Sequence, residues 1–163
     1  MALNRNKKQD IIKKINTIAK KSLSIITANP SKIEVNKINI LRKKAKKFHV
    51  KIYLTRNTLL KKSLKKTIFS KLIEILKGPN LIAFSLQHPG SASRLFIEFN
   101  KKNTDFKIKN AIYENKILDL KEIHDLATLP THIESILKFI IILKEISLGK
   151  FLRLLNQITH KST

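Results

Sequence analysis

Val50-Lys51-Ile52-Tyr53-Leu54-Thr55 alternates its side chains with a period of two, and Arg56-Asn57-Thr58 closes the run. That period predicts a half-buried strand, and Asn57 or Thr58 is placed to cap a helix continuing through Leu59, Leu60 and Leu64. Upstream, Ile38, Leu41, Ala45 and Phe48 make one apolar stripe of a helix, with Arg42, Lys43, Lys46 and Lys47 opposite. Ser31 and Glu34 have capping-box spacing for it, and Asn36 is an equal candidate cap. Before that, Ser24 to Thr27 reads as a strand ending at Asn29-Pro30, and residues 7–22 as an amphipathic helix through Ile11, Ile15 and Ile18/Ala19. Downstream, Leu81 to Ser85 is a buried strand, Pro89-Gly90-Ser91 starts a helix striped by Ala92, Leu95, Phe96 and Phe99, and Phe106 to Ile112 is a fourth strand. The order is a helix followed by β-α-β-α-β-α-β. It predicts an α/β fold: a compact two-layer domain with a small mixed sheet and flanking helices.

Composition narrows the chemistry. The 163 residues hold 34 Lys/Arg against 11 Asp/Glu, a formal charge of +23. With no cysteine there is no disulfide framework and no thiolate nucleophile or metal site. Three glycines, Gly78, Gly90 and Gly149, cannot build a Walker-type loop or a dinucleotide fingerprint. The five histidines fall in different elements without ligand spacing, so no metal site and no cofactor are expected. Glu122, His124 and Asp125 sit together on a short polar helix, where solvated surface is the plain reading. An enzyme is not expected.

The charge carries a position signal. Lys, Ile and Asn number 29, 26 and 13, a bias that A/T-rich codons would produce at tolerant surface positions. Uniform drift, however, spreads evenly, whereas residues 1–66 carry +18 and residues 67–163 only +5. Lys61, Lys62, Lys65 and Lys66 make one cationic face beside Arg56, and Arg42, Lys43, Lys46 and Lys47 another. Two such faces point to a polyanion. With Tyr53 the one aromatic among the charges, recognition of folded RNA by shape and backbone fits better than base stacking.

After Leu129-Pro130 the chain reads as a single long helix opened by Thr131 and Glu134 at capping-box spacing. Its apolar residues recur on nearly every side, so something must cover it. A core helix folded back on the sheet, a rod gripped by partner helices and a basic membrane-surface helix all remain open on periodicity alone. The run Phe139 to Leu143 is far short of the about 20 residues of a membrane span, and the polar N-terminus is unlike a signal peptide. A cytoplasmic protein is expected.

Six motifs then occur in one order: Met-Ala-Leu-Asn at the start; Arg56-Asn-Thr-Leu-Leu60; Gly78-Pro-Asn-Leu-Ile-Ala-Phe-Ser85; His88-Pro-Gly90 with Arg94-Leu-Phe96; Leu126-Ala-Thr-Leu-Pro-Thr131; and Lys144-Glu-Ile-Ser-Leu-Gly-Lys150. Together they resemble the bacterial ribosomal stalk-base family, large-subunit protein ten, over essentially the whole chain. The resemblance implies an RNA-binding α/β domain over residues 1–118, a short helix and hinge over 119–130, and a helical spine over 131–163. It implies contact with large-subunit ribosomal RNA and large-subunit ribosomal protein eleven. The spine would carry dimers of the acidic stalk protein seven/twelve, two of them by length, which recruit translational GTPases; repression of the chain's own operon is a further family property. Carried residue by residue, Arg56, Asn57 and Thr58 match the strand-end motif and Arg42-Lys43 the Leu-Arg-Lys helix, with Lys46, Lys61 and Lys62 added from charge. On the spine, the expected dimer contacts are Ile133, Ile136, Leu137, Ile140, Leu143, Ile146, Phe151, Leu152, Leu155 and Ile158. The run Phe139-Ile-Ile-Ile-Leu143 is more apolar than the family's Ala-rich spine. The competing reading is a nucleic-acid repressor or architectural protein whose C-terminal helix homodimerises.

Overall fold

The computed structural model describes residues 4–31, 33–65, 67–149, 151–153 and 157, and the chain divides into two compact units, Met1–Leu129 and Pro130–Thr163. In the first unit, β1 (Ser24–Asn29), β2 (Val50–Leu54), β3 (Leu81–Ser85), β4 (Lys107–Tyr113) and β5 (Lys116–Leu118) form one sheet in the order β2-β3-β1-β4-β5. The helices are α1 (Arg5–Lys21), α2 (Val35–Lys47), α3 (Asn57–Leu64), α4 (Leu72–Ile75), α5 (Ser91–Lys102) and α6 (Leu120–Thr128).

The α/β class is as expected, but the sheet is antiparallel at each described pairing rather than mixed. Helix α2 does connect two strands of the same sense, β1 and β2, and α5 does the same for β3 and β4. In both cases a strand of opposite sense lies between them, so two split β-α-β units interleave. The layer count also changes. Leu41 and Ala45 of α2, with Leu95, Phe96 and Phe99 of α5, pack with Ile26, Leu81 and Ala83 on one face. Ile15 and Ala19 of α1, with Leu60 and Leu64 of α3, pack with Ile25, Ile82 and Phe84 on the other. Three layers replace the expected two, and the unbroken apolar run of β3, fully buried along its length, is the sequence mark of a strand covered on both faces.

Local chemistry sets the joints. A bulge between Ile26 and Ala28 interrupts the β1–β4 ladder. There the Thr27 hydroxyl donates to Asn110 O (2.9 Å) and accepts from Asn110 N (3.4 Å), satisfying the displaced backbone. Strand β5 was not anticipated. It follows a two-residue turn in which Glu114 (φ 47°) and Asn115 (φ 63°) are both left-handed, the geometry that matches hairpin twist, without the usual Asn-Gly signal. Helix α2 starts after Glu34 with no side-chain cap, so neither Ser31 nor Asn36 serves. Ser31 instead closes a turn by donating its hydroxyl to Asn29 Oδ1 (2.7 Å). Arg56, not Asn57 or Thr58, occupies the cap position of α3. Phe48, expected in the α2 stripe, is 53% exposed.

Helix α6, read in the sequence as part of a hinge, is anchored by buried Ile123 and Leu126. A Cβ on Gly90 would come within 2.4 Å of Leu126 O, so the absence of a side chain there lets α6 approach. Arg94 reaches across from α5, its Nε donating to Ala127 O (2.7 Å) and its Nη2 to Leu129 O. That cation satisfies carbonyls the helix end leaves open.

In the second unit, α7 (His132–Lys144) opens with the expected box: Thr131 Oγ1 accepts from Glu134 N (3.3 Å) and Glu134 accepts from Thr131 N (2.9 Å). The helix does not run on unchanged. Glu145–Gly149 is a π-helical segment, and helix resumes at 151–153. Glu145 pairs with Arg153, passing over Gly149, where a Cβ would lie 3.4 Å from the carboxylate carbon.

Candidate RNA interface and exposed apolar helix

The expected RNA-facing residues gather around one edge of the sheet. Strand β2 has a single strand neighbour among the described residues, β3, and so forms an edge of the sheet. Because Ile38, Leu41 and Ala45 turn α2 toward the sheet, Arg42, Lys43 and Lys46 are left in solvent. Arg42 and Lys46 line a groove between α2 and β2 floored by Ala45, Val50 and Ile52, and Lys51 joins them there. Lys51 was passed over as a candidate, although its outward place in the alternation was the signal. Tyr53 is half-buried and meets Phe84 edge-on (6.0 Å), and burial pushes its hydroxyl pKa up. It therefore packs as core rather than offering a stacking face.

At the far end of β2 the candidates part company. Arg56 is exposed and, with Leu54, Gly78 and Pro79, borders an open groove. Thr58 is exposed as well. Asn57 is engaged at both ends, its amide donating to Gly78 O (2.8 Å) and its oxygen accepting from Asn80 (3.0 Å). The same turn takes up Lys109, whose ammonium donates to Lys77 O (2.7 Å), Pro79 O (3.2 Å) and Asn80 Oδ1 (2.8 Å). All three of its donors are used, and burial pulls its pKa below the ordinary lysine value. It is a structural lysine inside a nominal excess of charge. Lys61 and Lys62 are exposed on α3, which lies in the opposite layer from α2, so the two basic faces join only around β2.

The expected contacts on the C-terminal helix share one property. Ile133, Ile136, Leu137, Ile140 and Leu143 are exposed, Ile133 to 71%, and so are Ile146, Phe151 and Leu152. No residue of α7 is buried. Leu155 and Ile158 lie outside the described residues. No single helix among the described residues is long and apolar enough to cross a membrane. Among the described residues no three His, Asp or Glu come together as metal ligands. Glu122, from the cluster weighed as acid/base chemistry, accepts Asp119 N (3.0 Å) in the α6 capping box.

Several of the sequence motifs hold one another: Asn57 binds the Gly78-Pro-Asn80 turn, Gly90 admits Leu126, and Arg94 clamps Ala127 and Leu129. Comparison with known proteins matches the same framework. The family model for ribosomal protein L10 matches residues 3–101. A large ribosomal subunit protein uL10 from Buchnera aphidicola subsp. Cinara cedri (strain Cc) is 76% identical over 161 residues, 99% of this chain and 100% of the relative. Proteins of the same name from Wigglesworthia glossinidia brevipalpis and Blochmanniella pennsylvanica (strain BPEN) are 48% and 38% identical, over 97% and 99% of this chain and 98% and 99% of their own. With the fold built from the motifs and the relatives aligned end to end, the chain belongs to the ribosomal protein L10 family of the large ribosomal subunit.

Proposed function

We propose that the first unit anchors this chain on large-subunit ribosomal RNA at the base of the stalk, beside large-subunit ribosomal protein eleven. The second unit then serves as the spine for dimers of the acidic stalk protein seven/twelve, which recruit translational GTPases. As an L10 family member the chain is a structural constituent of the large ribosomal subunit, not an enzyme, and its place is the ribosome, cytoplasmic in bacteria. The observation that carries the spine reading is the contrast within the chain: the first unit closes two apolar cores, while α7 leaves its apolar side chains in solvent. Such a helix calls for a partner that covers its apolar surface. Lys138 and Lys144 among those side chains suit an acidic partner. For RNA, the supporting features are Arg42, Lys43 and Lys46 beside the β2 edge, with Arg56, Lys61 and Lys62 continuing onto the opposite layer. The same surface would serve contact with the operon's messenger RNA.

Native mass spectrometry of the full chain co-expressed with the acidic stalk protein tests the spine. Four acidic copies per chain are expected, and few or none on Ile136→Asp/Ile140→Asp. A bare chain sinks the spine reading and leaves a salt-sensitive RNA-binding module, and a homodimer sinks it in favour of a homodimerising nucleic-acid protein. For RNA, neutralising about 6–10 phosphates should cost about 10³–10⁵ in affinity between about 50 and 200 mM salt. Arg42→Glu/Lys46→Glu should flatten that slope, and an unchanged slope would remove α2 from the interface.

A further inference from the structure

The apolar stripe of α2 does not end at the sheet. On the side away from β2, a groove of about 250 Å³ runs between α2 and α5. Its floor is aliphatic and aromatic: Ile40, 54% exposed, with Leu95 and Phe99 behind it. Lys37, Lys44 and Lys102 stand on its rim with one acid, Glu98, which pairs with Lys44 (3.0 Å) and Lys102 (3.8 Å). Lys37 pairs in turn with Glu34 (3.7 Å), just outside the slot, so three cations against two carboxylates leave a local surplus of one positive charge around an apolar slot.

From this we infer that the α2–α5 groove is a docking site for an acidic protein segment that inserts one large apolar side chain over Ile40 while its carboxylates meet Lys37, Lys44 and Lys102. Ile40 also borders Arg42, Lys43 and Lys46 on its other side, so the groove adjoins the RNA-facing residues while being lined by different cations, and the inference does not depend on the RNA or the spine assignment. RNA suits it poorly. Phe99 is 9% exposed and packed edge-on against Phe106 (5.0 Å), so it offers no stacking face, and Glu98 would repel phosphate at the centre of the rim. An apolar anchor in a pocket with a charged surround is a common arrangement for peptide recognition.

The test uses the full chain and two fluorescein-labelled synthetic peptides of Asp and Glu, one with a single central Leu and one with Ser in its place. Fluorescence anisotropy at physiological salt should show the Leu peptide binding about ten- to a hundredfold more tightly, the worth of one buried apolar side chain. Ile40→Ser should abolish that preference with an unchanged circular dichroism spectrum, and Ile140→Ser on α7 should leave it intact. Because the chain lacks cysteine, Asn103→Cys gives a unique label at the groove, and a blue shift is expected with the Leu peptide alone. Equal binding of the two peptides would reduce the site to plain charge attraction and overturn the inference. Loss of the preference in Ile140→Ser, or a label that does not respond, would move the binding elsewhere and overturn it too. So would protection of Lys37, Lys44 and Lys102 from acetylation by ribosomal RNA and not by the Leu peptide.

Discussion

The two units spend similar side chains in opposite ways. In Met1–Leu129, Ile, Leu and Phe close over both faces of a sheet; in α7, Ile, Leu and Phe lie in water. Composition alone does not separate them. What separates them is whether the apolar positions of an element are covered: Leu95, Phe96 and Phe99 pack in a core with strand residues, and Ile133, Ile136 and Ile140 are exposed. One unit closes its own cores, and the other leaves its apolar side chains uncovered, as the proposed spine requires.

The sharpest way to break this contrast is a pair of truncations. Phe96→Ala, at a fully buried position, should cost about 3–5 kcal/mol, whereas Ile140→Ala, 53% exposed, should stay within about 0.5 kcal/mol. Denaturant unfolding followed by far-ultraviolet circular dichroism reads both, since the chain has no tryptophan. Equal costs would mean that α7 is buried in solution. Next in size, Gly90→Ala must push Leu126 O away from its 2.4 Å approach and should cost about 1–3 kcal/mol, with faster amide exchange in α6. Unchanged exchange would show that α6 is not held there. Lys109→Met strips three hydrogen bonds from the 77–80 turn and should lower stability by about 1–2 kcal/mol in a thermal melt. No change would return Lys109 to the pool of tolerant surface lysines.

The smallest effect concerns Glu98, whose carboxyl is held below its ordinary pKa by the hydrogen bond and charge of Lys44 and then by Lys102. A depressed carboxylate stabilises fully above its unfolded pKa and loses that contribution as pH falls through the folded value. Glu98→Gln should therefore cost less than about 1 kcal/mol at neutral pH, the pair being half in solvent, and nothing in acid. Melts at two pH values check the sign.

Much of the first unit was legible because its periods are clean: Val50 to Leu54 as a strand, and Ser91 to Lys102 as a helix with Ala92, Leu95, Phe96 and Phe99 inward; in the second unit the spacing of Thr131 and Glu134 marked the box. Strand β5 and the single turn α4 were missed because three or four residues carry no period. Strand sense was missed because a crossover helix fixes the sense of the strands it joins, not what slides between them. At the candidate interface, the shared face of Arg42 and Lys46 follows from helical spacing. The role of Asn57 does not, since its partners are more than twenty residues away. The π-helical segment at Glu145 has no mark in the periodicity.

Arg94 has a mechanical side. The last carbonyls before Pro130, at Ala127 and Leu129, are gripped by a guanidinium rooted in α5. Tension on the chain beyond Pro130 therefore arrives first at a two-point clamp and not at a fraying helix end. In a pulling experiment from residue 131, Arg94→Ala should let α6 peel at lower force while the sheet behind it holds.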